Sequence, residues 1–201
     1  MLRFFKKDDL KIYRNRLSKI KTIKYSSLED SQLINKINNE NDTDDKLISS
    51  IVEMVNRTYG ITVYDEQILG ALSLIDGKLI EMKTGEGKTI VAIIASAFLT
   101  KRNRKVTIFT ANSYLVERDF IYAARFFNKI DVSIGRISEN MNSKMRGANY
   151  DSDVVYTSVS PTVSDFINDK IESDIDKRIF KNIDFAIVDE VDFVLIDEST
   201  I

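Results

Sequence analysis

The sequence contains no cysteine and no histidine. Without cysteine the chain can form neither a disulfide bond nor a thiolate metal site, and without histidine it lacks the commonest metal ligand and general base. Any catalysis must therefore use carboxylates, lysine, hydroxyl groups and a bound ion. Proline is almost as scarce, with Pro161 the only one in the sequence. We expect Pro161 to begin a helix.

Long apolar runs are also missing from the 201 residues. No stretch approaches the length of about 18 apolar residues that a membrane-spanning helix needs, so none is predicted. The N-terminal residues carry charges through the region where a signal peptide needs an apolar run, so we expect a cytoplasmic protein. The formal net charge of -2 argues against a dedicated binder of duplex nucleic acid, whose affinity rests on clustered lysine and arginine.

The first 25 residues form a basic arm, in which nine lysines and arginines outnumber two aspartates. Apolar residues recur at helical spacing within the arm, at Leu10, Tyr13, Leu17 and Ile20. This spacing predicts an amphipathic helix with a cationic back. Such a helix either docks on the domain or contacts anionic lipid or an acidic partner.

Two further helices are predicted before residue 61. Ser27 to Asp30 resemble a capping box that opens a helix ending at Ile37. Residues 38–45 are polar and predict a loop. The apolar positions of residues 47–55 predict a third helix, which Gly60 is placed to end.

From residue 61 onward, short apolar runs rich in valine and isoleucine alternate with helical patterns. The predicted strands are residues 78–82, 105–110, 132–134, 153–157 and 185–188, and the predicted helices are residues 64–75, 89–100, 113–127 and 161–169. This alternation indicates an α/β fold with a mostly parallel sheet and helices on both faces. Ligands on such sheets bind beyond the carboxyl ends of the strands.

A glycine-containing loop lies between the first predicted strand and its helix. It consists of Met82, Lys83, Thr84, Gly85, Glu86, Gly87, Lys88 and Thr89. The two glycines would let backbone N–H groups turn toward phosphates, Lys88 would neutralise these phosphates, and the Thr89 hydroxyl would ligate Mg²⁺. The loop thus predicts a nucleotide triphosphate site, although Met82 stands where glycine or alanine is usual.

An acidic turn follows the last predicted strand, with carboxylates at Asp189, Glu190 and Asp192. By itself such a turn is common as a solvated loop. Paired with the phosphate loop, Asp189 would hold Mg²⁺ through water, and Glu190 would orient and deprotonate the attacking water. Glu190 is the best-placed base in a chain without histidine, so the pair indicates ATP hydrolysis.

Together these motifs resemble SecA, the ATPase family that drives bacterial preprotein export. The pattern Met-x-Thr-Gly-Glu-Gly-Lys-Thr matches, as does the run from Val188 to Asp192 that continues into residues 195–198. Gln67, twenty-one residues before Lys88, matches the adenine-reading glutamine of the family. Residues 110–119 match its T-x-N-x-Y-L-x-x-R-D segment, which couples nucleotide state to the protein channel.

The resemblance implies a RecA-like P-loop NTPase domain at residues 61–201, preceded by N-terminal helices at residues 1–60. It implies ATP and Mg²⁺ as cofactors, with Lys88 and Glu190 as catalytic residues. The implied partners are the Sec membrane channel, preproteins and, through the basic arm, anionic phospholipid, but not nucleic acid. The implied location is the cytoplasmic face of the cell membrane, as a peripheral protein.

The sequence also departs from the family pattern. Where the housekeeping proteins have G-T-N-N-E-x-G-F-D-Y-L, residues 157–167 keep little beyond Asp165, and residues 199–201 replace the expected A-R-T-P-L. These departures are more typical of an accessory SecA than of a housekeeping one.

The family motor also continues through a preprotein-binding domain and a second RecA-like domain. The arginine of that second domain raises the hydrolysis rate by a factor of about 10³ to 10⁵ in related NTPases. The 201 residues alone are therefore expected to bind nucleotide weakly and hydrolyse it poorly.

Two alternatives stay open at this point. A DEAD-like helicase would use Gln67, the phosphate loop and the acidic turn equally well, but Met82, the segment 110–119 and the lack of net basicity count against it. A catalytically silent nucleotide-binding fragment, acting only as an interaction module, is the second alternative, because no arginine partner is present.

Overall fold

The computed structural model describes residues 7–39, 41–180 and 183–194, with side chains described from residue 11 onward. The eight helices of this part are α1 Lys7–Thr22, α2 Asp30–Ile37, α3 Asp44–Tyr59, α4 Asp65–Ile75, α5 Lys88–Thr100, α6 Ser113–Phe127, α7 Ser143–Tyr150 and α8 Val159–Ile171. Its four strands are β1 Val106–Phe109, β2 Ile134–Arg136, β3 Val154–Thr157 and β4 Phe185–Val188, and single 3-10 turns form at Asn128–Ile130 and Ile175–Lys177. The family-like residues 195–198 and the divergent residues 199–201 lie outside the described residues.

The chain divides into two compact units, residues 1–103 and residues 104–201. The first unit contains α1 to α5, and the second contains all four strands with α6 to α8. The boundary predicted at residue 60 falls inside the first unit and remains a prediction. Within the described ranges, no helix is both long enough and apolar enough to cross a membrane.

Residues 7–22 of the basic arm form a helix, as predicted, and its apolar stripe from Tyr13 onward is used in packing; the side chain of Leu10 lies outside the described residues. Tyr13, Leu17 and Ile20 are buried, and α1 contacts α3 and α4. The Tyr13 hydroxyl donates a hydrogen bond of 2.7 Å to Asp76 Oδ2, and Arg16 pairs with Asp45 at 3.2 Å. The arm is therefore docked through its apolar face, which leaves its cationic back outward.

Helix α2 begins later than predicted. Its N-cap is Glu29 rather than Ser27, and the Glu29 backbone N–H donates to Gln32 Oε1 at 3.0 Å. The reciprocal bond of a capping box is therefore made from residue 29, because Gln32 is the residue that can reach back to it. Helix α3 ends as predicted, with Gly60 in the left-handed region at φ 65°.

The strand predicted at residues 78–82 is wrong. The described residues 78–83 have no regular secondary structure, and Leu79 is 62% exposed. The run has only three apolar residues, and two of them, Ile80 and Met82, lie over Gly70 of α4. The apolar side chains of Ile80 and Met82 therefore pack against a helix of the same unit.

The second unit is built on a parallel sheet with the strand order β2-β3-β1-β4. Val106 of β1 is paired with Val154 of β3 and with Phe185 of β4. All four residues of β3 are buried, as expected for a strand inside a parallel sheet covered by helices, and α6 and α7 contact β2. The predicted α/β fold with a parallel sheet flanked by helices is confirmed.

Most elements of this unit match their predictions, with three exceptions. The strand predicted at residues 132–134 forms two residues later, at Ile134–Arg136. The prediction missed α7, because its eight residues carry no apolar stripe; the Asn142 side chain, which accepts from Met145 N–H at 2.9 Å, was the available signal. Helix α8 begins at Val159, two residues before Pro161. Proline is tolerated there because the N–H groups of the first turn have no intrahelical acceptor, so the N–H that proline lacks costs no hydrogen bond.

Candidate functional site

The loop Met82–Thr89 lies in the first unit, and its last two residues begin α5. Gly85 and Gly87 have φ values of 86° and 83°. Residues with a Cβ are strained in this left-handed region, so both positions require glycine to keep the loop in this shape. The two glycines thus set the backbone path of the loop up to the start of the helix.

Helix α5 supplies the rigid end of the loop. Gly87 is its N-cap, and the Gly87 carbonyl accepts from Ile90 and Val91 N–H at 3.0 and 3.2 Å. Lys88 and Thr89 occupy the first two helical positions, where backbone amides lack intrahelical partners and the helix dipole favours an anion. Most of the remaining helix is buried, so this end is fixed in the core.

The exposed part of the loop forms a tight turn from Lys83 to Glu86. The Glu86 N–H donates to the Lys83 carbonyl at 3.2 Å, and the Lys83 N–H donates to Glu86 Oε2 at 2.9 Å. Gly85, at the third position, has the positive φ that a type II turn demands. A loop amide therefore already accommodates an anionic oxygen, which fits the chemistry of a phosphate.

Gln67, on α4, is brought to the end of this loop. It is 7% exposed, and its Nε2 donates to the Glu86 carbonyl at 3.0 Å. Its Oε1 accepts from Tyr64 N–H at 3.0 Å, and a Cβ at Gly87 would collide with Nε2. The amide keeps one further N–H and one further lone pair for a base, so adenine recognition by Gln67 stays a prediction.

Met82, the unusual first residue of the loop, lies over Gly70 of α4. A Cβ built on Gly70 would stand 3.6 Å from Met82 Sδ and 3.2 Å from Val91 Cγ1. The sequence analysis did not single out Gly70. A glycine inside an otherwise apolar helical pattern, three residues after Gln67, was the available signal.

The acidic turn lies in the second unit, at the carboxyl end of β4. The Asp189 N–H donates to the Phe109 carbonyl at 2.9 Å, which continues the pairing of β4 with β1. The Asp189 Oδ1 accepts from Glu190 N–H at 3.0 Å. Glu190 is exposed and has a φ of 54°, so its side chain leaves a strained turn directly after the strand.

The segment that follows β1 lies at the same edge of the sheet. Asn112 caps α6 by accepting from Leu115 N–H at 3.0 Å. Arg118 donates to both carboxylate oxygens of the buried Asp119, at 2.9 and 3.2 Å. The pKa of Arg118 is raised above its ordinary value, mainly by these bonds and also by the negative charge of Asp189. Arg118 was not among the predicted site residues, although the sequence analysis matched its segment, residues 110–119, to the family.

The residues present fit a nucleotide phosphate at the loop. The glycine conformations, the free helix amides and the lysine at the helix start are the donor set that phosphate requires. For a magnesium ion, Thr89 offers a hydroxyl in the first unit and Asp189 a carboxylate in the second, and both are oxygen ligands of the kind that Mg²⁺ prefers. The roles of the individual residues stay predictions.

Comparison with known proteins identifies the family. The family model of the SecA DEAD-like domain matches residues 3–201. A protein translocase subunit SecA of Gracilaria tenuistipitata var. liui is 34% identical over 183 residues, which cover 85% of this chain and 21% of that protein. One of Antithamnion sp. is 35% identical over 155 residues, covering 74% of this chain and 18% of that protein.

A protein named translocase subunit SecA 2, of Thermobifida fusca (strain YX), is 33% identical over 123 residues, covering 61% of this chain and 16% of its own length. The chain spans about a fifth of the length of the first two relatives, 21% and 18%. Because the family model spans nearly the whole chain and these relatives are about a third identical to it over the aligned residues, the chain belongs to the SecA family, in which it corresponds to the DEAD-like domain.

Proposed function

We propose that this chain is the ATP-binding part of a SecA-type motor that couples ATP hydrolysis to the translocation of preproteins through the Sec channel. The observation that carries this proposal is the loop Met82–Thr89, with two left-handed glycines at the start of a buried helix. Membership of the SecA family gives the loop its context. The names of the relatives, protein translocase subunits, supply the substrate class.

In this proposal the loop amides and Lys88 bind the phosphates, and Gln67 reads the adenine base. Mg²⁺-ATP, when bound, supplies the phosphoryl group that is transferred to water. Thr89 and Asp189 would hold the ion, the latter through water, and Glu190 would take a proton from the attacking water at its carboxylate. Exposure of Glu190 suits a base that must reach a water molecule.

The proposed partners beyond nucleotide are the Sec channel, preproteins and anionic phospholipid. Their support is the naming of the relatives and the outward cationic back of α1, where Lys11, Arg14 and Lys19 are exposed. Such a surface attracts anionic headgroups by about 1 kcal/mol per basic residue. We therefore propose a peripheral position on the cytoplasmic face of the membrane.

Nucleotide binding is tested first with Lys88→Ala. We expect the affinity for Mg²⁺-ATP, measured by calorimetry, to fall about 10- to 100-fold, because a charged hydrogen-bonding partner of the phosphates is lost. Lys78→Ala, which removes an exposed lysine just before the loop, is the matched control and should bind as the unmodified chain does. Equal affinities in all three proteins would contradict the proposal.

Hydrolysis is tested with Glu190→Gln. In a protein that also carries the second RecA-like domain of the family, ATP binding should be retained while single-turnover hydrolysis falls by about 100-fold or more, because the amide cannot accept the proton. Glu139→Gln, at an exposed glutamate, controls for loss of negative charge. Unchanged turnover in Glu190→Gln would remove Glu190 as the base, and stimulation by RNA but not by preprotein and channel would favour a helicase.

A further inference from the structure

Helix α4 contacts the phosphate loop at both ends of the loop. At the start of the loop, Met82 lies over Gly70. At its end, Gln67 donates to the Glu86 carbonyl at 3.0 Å and packs against Gly87. Gln67 and Gly70 are three residues apart, so they lie on the same face of α4.

The glycine at position 70 has a packing reason. Glycine inside a helix is less favourable than alanine, yet Gly70 is buried in the middle of α4. A Cβ at this position would stand only 3.2 Å from Val91 Cγ1 of α5, whereas Ile80 and Met82 lie at the ordinary contact distance of 3.6 Å. The first residue of the loop is therefore packed against α4 at Gly70.

The contact of Gln67 restrains the other end. Residues 83–86 are exposed, so few apolar contacts hold them in place. The entropy lost when a backbone segment becomes ordered opposes binding, and a loop that is ordered before phosphate arrives avoids that cost. The bond from Gln67 to Glu86, between a buried side chain and the exposed turn, supplies such order.

We propose that Gln67 is a positioning residue for the phosphate loop, acting through the Glu86 carbonyl while Met82 on Gly70 fixes the loop's start, and that this role does not require a base. The inference rests on the proposed function for its ligand, since the loop must bind phosphate. It differs from adenine recognition, because the loop would depend on Gln67 even when no adenine is present.

The discriminating ligand is inorganic tripolyphosphate with Mg²⁺, which has no base. In Gln67→Glu the side chain keeps an acceptor for Tyr64 N–H but loses the donor to Glu86 and places a carboxylate against the carbonyl. We expect the affinities for tripolyphosphate and for ATP both to fall about tenfold. A fall for ATP alone, with tripolyphosphate binding unchanged, would assign Gln67 to base recognition only and overturn the proposal.

The chain offers a matched control in Gln32. Its Oε1 also accepts from the N-cap backbone N–H of its own helix, that of Glu29, and it is exposed on α2. Gln32→Glu therefore makes the same chemical change at the same helical position without the loop contact. Its affinity for tripolyphosphate should stay within twofold of the unmodified chain, and a tenfold loss there would refute a specific role for Gln67.

Hydrogen exchange on the ligand-free chain tests the restraint without any phosphate. In Gln67→Glu the amides of Lys83 and Glu86 should exchange about tenfold faster, while the amides of the buried part of α5 keep their protection and report an intact fold. Unchanged exchange at the loop would overturn the proposal. If the unmodified chain bound neither ATP nor tripolyphosphate, the proposed function would fail, yet the exchange would still decide the role of Gln67.

A second variant tests the other end of the loop. Met82→Ala removes the side chain seated on Gly70, and Met82→Leu keeps its volume. We expect tripolyphosphate affinity to fall severalfold in Met82→Ala and to stay within twofold in Met82→Leu. If both variants bind as the unmodified chain does, Met82 does not fix the start of the loop.

Discussion

Glu190 combines the proposed catalytic role with an unusual backbone. Its φ of 54° places a residue with a Cβ in the left-handed region, at a cost of about 1 to 2 kcal/mol. Strain of this kind concentrates at functional sites, where the surrounding structure enforces it. Here the pairing of Asp189 with Phe109 and the bond from Glu190 N–H to Asp189 Oδ1 hold the turn in place.

Asp165 is the buried carboxylate whose protonation should affect stability. It is 1% exposed, accepts a 3.0 Å bond from the Tyr150 hydroxyl and pairs with Arg146 at 3.3 Å. Burial raises its pKa, against the lowering effects of Tyr150 and Arg146. A raised pKa in the folded state means that the folded chain binds the proton more tightly than the unfolded chain, so this contribution to stability is lost as pH rises.

We therefore predict that Asp165→Asn removes a pH dependence. The free energy of unfolding of the unmodified chain, relative to the variant, should decline as pH rises from the ordinary aspartate pKa of about 4 through the raised folded value. Urea denaturation of both proteins from about pH 4 to about pH 8, which starts at the ordinary aspartate pKa, measures the free energy of unfolding of the unmodified chain minus that of Asp165→Asn. If this quantity increases with pH, a raised pKa for Asp165 is contradicted.

At the scale of elements, Arg57 ties the connection between α1 and α2 to α3. Its guanidinium donates to the carbonyls of Leu28 and Tyr25 at 2.8 and 3.0 Å, and it pairs with Asp30 and Glu53 at 2.8 and 2.9 Å. A lysine has one nitrogen and cannot reproduce this fork of donors. The carbonyls would then lose their partners.

We predict that Arg57→Lys lowers the free energy of unfolding by about 2 kcal/mol, the scale of lost hydrogen bonds to a charged donor. Chemical denaturation measures the loss. Arg14→Lys, at an exposed arginine on the outward face of α1, keeps the same change of chemistry and should leave stability within about 0.5 kcal/mol. Equal effects of the two substitutions would show that the hydrogen bonds of the Arg57 guanidinium make no specific contribution to stability.

The elements that sequence reasoning located best are those with long, regular patterns. Helix α6 and strand β4 have the predicted bounds, because their apolar spacing and their flanking residues agree. The run at 78–82 has too few apolar residues to distinguish a strand from a segment packed on a helix. Helix α7 has almost no apolar periodicity, so its N-cap was the one local signal.

The same limits apply to the candidate site. The phosphate loop could be proposed because its chemistry is local and its spacing is diagnostic, whereas Gln67 was proposed from the family resemblance. The seat of Met82 on Gly70 and the proximity of Arg118 to Asp189 could not, since both depend on how elements far apart in the sequence pack. Tertiary contact, rather than local pattern, decides which residues around a motif become part of its site.

At the scale of the whole molecule, the two elements proposed to act on Mg²⁺-ATP belong to different units, the loop to residues 1–103 and the carboxylates to residues 104–201. If both act on one ion, the stabilisation that ATP gives should depend on Mg²⁺ and on Asp189. A ligand at 100 times its dissociation constant stabilises a protein by about 2.7 kcal/mol. For a chain of this length that corresponds to a rise in Tm of about 5 to 10 °C.

We therefore predict that adding Mg²⁺ to saturating ATP raises the Tm further in the unmodified chain and has little further effect in Asp189→Asn. ATP without Mg²⁺ should stabilise both proteins equally, since the loop and Lys88 are unchanged. Asp131→Asn is the matched control, because this exposed aspartate has a φ of 52° and asparagine tolerates that conformation. The same Mg²⁺-dependent rise in Asp189→Asn as in the control would show that the acidic turn does not share the ion with the loop, and the proposed roles of Asp189 and Thr89 would then have to be separated.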